Sequence, residues 1–558
     1  MLRADVVPAQ RTENARSSPW PGSCSARWHG PRRRGGRRAV AGAGVASSLG
    51  LTSHRQRRFI VPDFKYSIAN VPDIDQRWAS LPGGGSAFCV PTSTMNWMYY
   101  IANHGRPSAV VFPPADPFAS SSTAMNVLML SLFMLTHPER GTSGRAWHQG
   151  LDAWLKHRRV PAIALLFTVE DDAWILFDRL QQCAAAGGLL TIARGRYYKI
   201  NGEYVRGGGH ALTVVGLSST SAGKQIVVHD PAQDDRDPET QSSPKKSTGN
   251  LTPTFGKFDG TLATMLRWGS SESPYEFIDH VMIIFPLFAV TNLSGGALTV
   301  YSASLTSDAV DARAIPTPLS AGIADLAIQP AMRVAALGEG SGDVVAVDLI
   351  SGDSRRLARL PGARRLTYGG RSRRLFVAQD RHVVALDDRG TEVSRAALDR
   401  PIDALAFDAA ENRLIVASVS AGKLLRFSPE LRHHGSHELP HVPGQGRLSL
   451  TVDEGDGALR LTRAGSPHVA ELQVHPTDPG LPGVTPLRSG GVVPVERVKE
   501  RGTLHVSAAG RIATFDRDGE RVEGSPFNGL PAGPLLEVAR SYSNADPEKM
   551  RRPEWHNR

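Results

Sequence analysis

A repeat with a period of about forty residues is the sequence feature that most constrains the fold. Three apolar segments match one another at intervals of forty and thirty-nine residues, and they begin at Asp325, Arg365 and Ala404. A second strand-like segment follows in each unit, at Val344–Asp348, Val383–Asp387 and Leu424–Ser428. Several short strands in units of this length are typical of β-propeller blades. We therefore predict an all-β propeller domain of about six blades over residues 289–540.

This predicted propeller carries no sign of a second active site. No acid–histidine cluster recurs in its repeats, and the recurring Asp and Ser positions are typical of turns that end strands. A propeller is usually a rigid platform. We expect its face to bind a protein partner or a long substrate, or else to pack against the first half of the chain. Residues 541–558 are charged and contain proline, so we expect a disordered tail there.

Length and charge exclude several classes of protein. A chain of 558 residues and 60.0 kDa is too long for one ordinary core. The net charge of +10 comes entirely from residues 1–60, which hold twelve Arg and two acidic residues, while the remainder is neutral. Binding to nucleic acid requires clustered positive charge, so we predict none for the folded part. The longest apolar run, Ala124–Leu135, is too short to span a membrane.

The basic amino-terminal segment has two interpretations. Residues 1–59 are rich in Arg, Gly, Ser and Pro and show no apolar periodicity, which is typical of a disordered leader. Arg37-Arg38 precedes an uncharged run, Ala39–Leu51, as in twin-arginine export signals. That interpretation predicts a periplasmic or extracellular protein. The alternatives are a solvated basic tail on a cytoplasmic protein, or an initiation codon assigned too far upstream.

The cysteine content indicates a thiol site rather than a disulfide framework. The chain has three cysteines, Cys24, Cys89 and Cys183. Cys24 lies in the basic leader. Cys183 lies on a predicted helix over 169–186, where we expect a packed apolar residue. Cys89 remains as the candidate nucleophile.

Cys89 opens a predicted helix. Pro91 suits the first helical turn because its missing N–H is not needed there, and His104-Gly105 supplies a carboxyl-terminal stop. The unpaired N–H groups at the start of a helix favour an anion and lower the pKa of a thiol. The sequence therefore predicts a reactive thiolate at Cys89.

The order of predicted elements is helices first, then an antiparallel sheet, which is typical of an α+β domain. Further helices are predicted over Ala124–Leu135, Ser143–His157 and 169–186. The predicted strands are Leu189–Ala193, His210–Leu217, Gln225–His229 and Phe277–Phe285. We predict that the polar stretch 231–256 is a long surface loop.

A predicted hairpin brings a histidine beside an aspartate. His210 begins one apolar strand, and the next strand ends at His229 followed by Asp230. A tight connection at Ser218–Lys224 makes the two strands neighbours. The Asp230 carboxylate can then accept a hydrogen bond from one ring nitrogen of His210 and hold the other towards Cys89. His229 alternates to the opposite face of its strand and is a poorer candidate base.

Three motifs together resemble the papain-like cysteine peptidases. Cys-x-Pro-Thr-Ser from Cys89, Gly-His-Ala around His210 and Asp-Pro at Asp230 are most similar to family thirty-nine, the double-glycine-leader, bacteriocin-processing peptidases. The resemblance covers about 70–288 and implies a papain-like cysteine peptidase domain over 60–288. It implies that Cys89 is the nucleophile, His210 the general base and acid, and Asp230 the residue that orients His210. It also implies an oxyanion-hole glutamine upstream, for which Gln76 is the candidate.

The chain departs from that family at two points. Most relatives have Gly directly after the cysteine, whereas this chain has Val90, so the backbone there must avoid positive φ. Gln76 lies thirteen residues before Cys89, so the loop containing Gly83–Gly85 must fold back to bring the amide within reach.

The resemblance implies hydrolysis of peptide bonds in a peptide or protein substrate by a thiolate–imidazolium pair. No cofactor is expected, and no metal, because His104 and His148 lack partners at metal-ligand spacing. Two alternatives stay open. One is a catalytically inactive, peptidase-like binding protein, and the other is an acyl transferase that uses the same triad with an amine as acceptor.

Overall fold

The computed structural model describes most of the chain from residue 63 onward. The described residues are 63–112, 121–168, 177–200, 203–221, 223–232, 246–258, 261–268, 275–293, 295–329, 332–369, 373–408, 411–439, 447–452, 458–463, 469–473, 504–508, 510–515, 522–533, 535–539 and 541–543. The predicted leader, 1–59, lies outside them. No helix in this part of the chain is both long and apolar enough to cross a membrane.

Four α-helices lie in the first half of the described chain. They are α1 (Cys89–Asn103), α2 (Ser121–Phe133), α3 (Gly144–His157) and α4 (Phe177–Ala185). The Ser143 side chain accepts a hydrogen bond from the backbone N–H of Ala146 and caps α3. A short 3₁₀ turn, Pro82–Gly85, precedes α1.

A nine-stranded sheet packs against these helices. Its strands are β1 (Phe64–Ser67), β2 (Ala162–Thr168), β3 (Leu189–Ile200), β4 (Glu203–Thr220), β5 (Gly223–His229), β6 (Lys246–Phe258), β7 (Thr261–Trp268), β8 (Tyr275–Pro286) and, from the end of the chain, β30 (Tyr542–Ser543). The strand order is β1-β4-β5-β6-β7-β8-β2-β30, and β3 pairs with both β4 and β8. Strands β3 to β8 therefore form a closed ring of pairings.

The rest of the described chain is all β. Its strands are β9 (Phe288–Thr291), β10 (Ala297–Ala303), β11 (Val310–Pro316), β12 (Ile323–Gln329), β13 (Arg333–Gly338), β14 (Asp343–Asp348), β15 (Ser354–Arg359), β16 (Ala363–Gly369), β17 (Arg374–Gln379), β18 (His382–Leu386), β19 (Glu392–Ala397), β20 (Ala404–Asp408), β21 (Arg413–Ser418), β22 (Lys423–Phe427), β23 (His433–Glu438), β24 (Leu448–Val452), β25 (Ala458–Arg463), β26 (Val469–Gln473), β27 (Leu504–Ala508), β28 (Arg511–Phe515) and β29 (Leu536–Val538).

These strands form a propeller-like series of sheets. Strands β12–β15, β16–β19 and β20–β23 are three consecutive four-stranded antiparallel sheets, each following the chain order. The repeat found in the sequence corresponds to this unit, because Asp325, Arg365 and Ala404 each lie at or near the start of the first strand. In the described residues, six sheets follow β8, including a three-stranded and a two-stranded one. Apolar clusters fill the spaces between successive sheets, as expected for blades.

The first of these sheets is completed by the end of the chain. Its order is β11-β10-β9-β29, so a strand near the carboxyl terminus pairs with the strand that begins the series. Thr291 anchors this return, because its hydroxyl donates to Leu535 O at 2.6 Å and accepts from the Gly533 N–H at 2.9 Å. The sequence repeat did not predict this closure, since β29 is short and comes from a distant segment.

Replacement of Gly533 by alanine should weaken the closure. An added Cβ would overlap the carbonyl oxygen of Asn292, and the backbone could relieve that overlap only by moving β29 away from β9. We expect a loss of about 2–3 kcal/mol in the free energy of unfolding, measured by chemical denaturation. Gly524→Ala is the control, because an added Cβ there meets nothing within 4 Å. Equal stability of the two variants would contradict this interpretation.

One apolar core joins the nine-stranded sheet to the first propeller-like sheets. Leu190 and Val214 of the sheet belong to the same buried cluster as Val334 and Val345 of β13 and β14. An ion pair lies on the same side, between Arg179 of α4 and Asp348, with 3.3 Å between Nη1 and Oδ2. The domain boundary predicted at 288/289 falls within this joined region, since β8 ends at Pro286 and β9 begins at Phe288. The boundary therefore stays a prediction.

Several local expectations differ from the structure. The segment predicted as a surface loop contains most of β6, because its polar residues pair with β5 and β7. His210 lies in the middle of β4 instead of at its start, because the chain through Gly207–Gly209 continues the pairing with β3. Strand β2 was not anticipated. Residues 541–543 are ordered instead of disordered, because Tyr542 and Ser543 pair with β2.

Candidate functional site

Cys89 is the first residue of α1. Its N-cap is Phe88, whose carbonyl accepts a hydrogen bond from the Thr92 N–H at 3.0 Å. Val90 lies within the helix and is buried, so its backbone is helical and avoids positive φ as expected. Cys89 itself is partly exposed. A thiol in a partly exposed residue at the positive end of a helix of about four turns is well placed to ionise.

His210 and Asp230 form a short hydrogen bond. Nε2 of His210 lies 2.5 Å from Oδ1 of Asp230, and both side chains are largely buried. The same carboxylate oxygen accepts the backbone N–H of Ala232 at 3.0 Å, which fixes its direction. Because Nε2 is engaged by Asp230, Nδ1 is the ring nitrogen that can serve Cys89.

Cys89 and His210 interact closely enough that each governs the ionisation of the other. Burial alone would raise the pKa of the Cys89 thiol, but the hydrogen bond and charge of His210, with the N–H groups of Ala211 and Val90, lower it overall. Burial disfavours the charged form of His210, yet Asp230 and Cys89 raise its pKa from 6.5 to about 9. The pKa of Asp230 is lowered despite burial, because it receives the His210 hydrogen bond. The two shifts together favour a thiolate–imidazolium pair over the neutral pair.

Gln76 lies at the turn before α1, on a segment that contacts the residue after Asp230. Its side-chain Nε2 donates to Ser86 O at 3.0 Å, and its backbone N–H donates to Pro231 O at 3.0 Å. The second contact places Gln76 next to the residue that follows Asp230. Gly85 (φ +72°) makes the turn possible, because an added Cβ would overlap the Gln76 carbonyl. The glycine loop therefore folds back onto Gln76, and the reach of the Gln76 amide to the sulfur stays a prediction.

The amide oxygen of Gln76 is a buried acceptor. The residue is 4% exposed, and its Oε1 accepts no hydrogen bond from the described part of the chain. A buried polar atom without a protein partner is uncommon. Such an atom is typical of a position that a ligand or water completes.

Three other histidines and the second cysteine are held by contacts within the fold. His229 is buried with Nδ1 3.1 Å from Pro72 O, and Nε2 of His148 lies 3.1 Å from Ala164 O. Nδ1 of His104 is 2.7 Å from Tyr100 O. Cys183 is packed in the apolar core, and burial raises its pKa to about 11. In the described residues, no group of three or more His, Cys, Asp or Glu side chains could hold a metal ion.

A buried charged cluster near His210 was not predicted from the sequence. Asp279 of β8 accepts hydrogen bonds from Tyr197 Oη at 2.8 Å, Arg206 Nε at 2.5 Å and, in an ion pair, His280 Nδ1 at 2.9 Å. Burial alone would raise the pKa of Asp279, but the charges and hydrogen bonds of Arg206 and His280 outweigh it and hold that pKa well below its usual range. The only local signal was an Asp-His pair inside an apolar strand. The Arg206 guanidinium packs over Gly209, the residue before His210.

Comparisons with known proteins identify no family for this chain. No family model matches the sequence, and no curated protein matches it. Similar solved structures include a protein of unknown function from Bacteroides caccae, which is 11% identical over 46% of this chain and 100% of that chain with a TM-score of 0.32. A functionally unknown protein from Desulfotomaculum acetoxidans is 13% identical over 50% and 96%, with a TM-score of 0.34.

A β-propeller domain is also among the similar structures. The propeller domain of Myceliophteria thermophila Cps50 (Swd1) is 15% identical over 43% of this chain and 81% of that chain, with a TM-score of 0.31. Scores this low carry no argument about fold or function. The propeller-like character of the second half of the chain follows from its sheet topology.

Proposed function

We propose that the chain is a papain-like cysteine peptidase that hydrolyses peptide bonds through Cys89, His210 and Asp230. One observation carries the proposal. An imidazole that is held by a buried carboxylate at 2.5 Å interacts with a thiol at the start of a helix and lowers the pKa of that thiol. This is the order of roles in a nucleophile–base–orienter triad. The papain-like assignment itself rests on the resemblance of the three motifs.

In the proposed reaction, the Cys89 thiolate attacks the substrate carbonyl and the carbon–oxygen π electrons move to the oxygen. The Cys89 backbone N–H and the Gln76 amide would stabilise that oxyanion. The His210 imidazolium gives its proton to the leaving amine as the carbon–nitrogen bond breaks, which leaves a thioester on Cys89. Neutral His210 then takes a proton from water, and the hydroxide releases the acid and restores the thiolate.

The position of Gln76 supports its part in this scheme. One N–H of its amide is used by Ser86 O, three residues before the nucleophile, so the side chain is held beside the start of α1. The amide has a second N–H, which is the donor that an oxyanion would need.

The pH dependence of thiol labelling tests the ion pair. Because the pKa of Cys89 is lowered, an uncharged alkylating reagent should modify Cys89 at about pH 6, where an ordinary cysteine with a pKa of about 8.5 is almost wholly protonated. Cys183, with its pKa raised to about 11, should stay unmodified, as mass spectrometry of peptides would show. Modification of both cysteines only above about pH 8 would contradict the proposal.

Hydrolysis should have a different alkaline limit from labelling. Alkylation needs only the thiolate and should continue above pH 9, whereas hydrolysis also needs the imidazolium as acid. Because the pKa of His210 is raised to about 9, the imidazolium is present below that pH and is lost as pH rises through it. We expect hydrolysis to decline there, measured with a peptide library. Labelling at low pH without hydrolysis would favour the binding-protein alternative, and product formed only with an added amine would favour acyl transfer.

Gly85→Ala should impair hydrolysis more than Gly84→Ala. Both glycines have positive φ, +72° and +59°, so each substitution incurs a similar backbone strain of about 1–2 kcal/mol. Only at Gly85 does the added Cβ overlap Gln76, while at Gly84 it meets nothing within 4 Å. We expect kcat to fall about 100-fold in Gly85→Ala if the Gln76 amide is displaced. Equal kcat values in the two variants would argue against an oxyanion role for Gln76.

A further inference from the structure

A chain of buried hydrogen bonds joins α1 to β4 next to the candidate site. The Ser93 hydroxyl donates to Ala211 O at 2.9 Å, and the Thr213 hydroxyl donates to Ser93 O at 2.8 Å. The Asn96 amide then donates to the Thr213 hydroxyl at 3.0 Å. The Ser93, Thr213 and Asn96 side chains are all 0% exposed. The hydroxyl of Thr213 is therefore the central member, because it donates to one helix residue and accepts from another.

This chain of hydrogen bonds determines how α1 lies along β4. Cys89, Ser93 and Asn96 are spaced i, i+4 and i+7, so they share the face of α1 that contacts β4. Ser93 is bonded to Ala211, which follows His210 directly. A shift of the helix by one residue would move Cys89 by about 1.5 Å along its axis. That is enough to break a hydrogen bond between the sulfur and the imidazole.

The same chain of hydrogen bonds extends to the segment that contains Gln76. The Asn96 side-chain oxygen accepts the backbone N–H of Ile74 at 3.1 Å, and Ile74 lies two residues before Gln76. Asn96 thus contacts the oxyanion-hole segment on one side and, through Thr213, the strand of His210 on the other. Three segments that are far apart in the sequence meet at one buried amide and one buried hydroxyl.

We propose that Thr213 and Asn96 are positioning residues that hold Cys89 in register with His210, and that Thr213 carries most of this effect. The proposal rests on the proposed function, because it concerns the geometry of that same thiol–imidazole pair. Neither residue touches the reacting atoms. The titratable groups that act on Cys89 are His210 of β4 and, through it, Asp230 after β5.

Thr213→Val tests the proposal, because valine keeps the shape of threonine and removes the hydroxyl. The readout is the pH midpoint of Cys89 alkylation by iodoacetamide in the full chain. We expect the midpoint to rise by at least one pH unit, with labelling at about pH 6 slowed about tenfold for each unit. Thr213→Ser keeps the hydroxyl and should restore the wild-type midpoint. Asn96→Ala should shift the midpoint in the same direction, and it provides a second readout if Thr213→Val does not fold.

A matched control separates positioning from loss of stability. Thr123 of α2 is also 0% exposed, and its hydroxyl accepts a hydrogen bond from Tyr99 of α1 at 3.3 Å. Thr123→Val should lower the melting temperature without moving the labelling midpoint. Unchanged midpoints in both Thr213→Val and Asn96→Ala would overturn the inference while leaving the proposed function standing. A wild-type midpoint at the value of an ordinary cysteine would instead overturn the proposed function and the inference with it.

Discussion

Replacement of Cys89 by alanine should abolish peptide hydrolysis, with kcat falling by about 10⁴-fold or more. The sulfur is the only atom in the proposed scheme that forms the covalent intermediate, and the remaining groups can provide only binding and oxyanion stabilisation. The fold should be retained, because Cys89 is partly exposed and contributes little to the core. Circular dichroism and the melting temperature would verify this beside the rate measurement.

Cys183→Ala is the matched control for this experiment. It removes a thiol of the same size from α4, where the side chain is packed in the apolar core. We expect Cys183→Ala to lower stability by about 1 kcal/mol and to leave kcat unchanged. Hydrolysis retained in Cys89→Ala, or lost in Cys183→Ala with the fold intact, would remove Cys89 from the role of nucleophile.

Loss of the Asp230 carboxylate should have the second-largest effect. Asp230 accepts the His210 Nε2 hydrogen bond at 2.5 Å and helps to raise the pKa of His210 to about 9. In Asp230→Ala that pKa should fall, so the imidazolium would be lost at a lower pH than in the wild type. We expect kcat to drop by about 10²–10⁴-fold and the alkaline limit of hydrolysis to move to lower pH. A pH–rate profile of kcat measures both changes.

Two further variants distinguish charge from geometry at Asp230. Asp230→Asn keeps an oxygen that can accept from His210 but removes the negative charge, so its alkaline limit should fall while its kcat exceeds that of Asp230→Ala. Asp279→Asn alters another buried aspartate paired with a histidine and should lower stability without moving the alkaline limit. An unchanged alkaline limit in both Asp230 variants would show that Asp230 does not control the ionisation of His210.

The sequence by itself determined the features that depend on neighbouring residues or on a regular period. The helix beginning at Cys89 follows from Pro91 in its first turn and the stop at Gly105, and the Ser143 cap is equally local. The propeller-like sheets follow from a repeat that returns the same strand pattern about every forty residues. The hairpin of β4 and β5 follows from two apolar runs with a short connection, and it brings His210 beside Asp230.

Only the tertiary structure decided which distant segments meet. The pairing of β29 with β9 and of β30 with β2 joins residues more than two hundred positions apart. Strand β6 has a polar sequence and forms because β5 and β7 offer backbone partners. The contacts of Gln76 with Ser86 and Pro231 likewise arise only in the folded chain. Backbone hydrogen bonds have no residue-type code, so the partner that satisfies a given strand or buried amide is set by the whole fold.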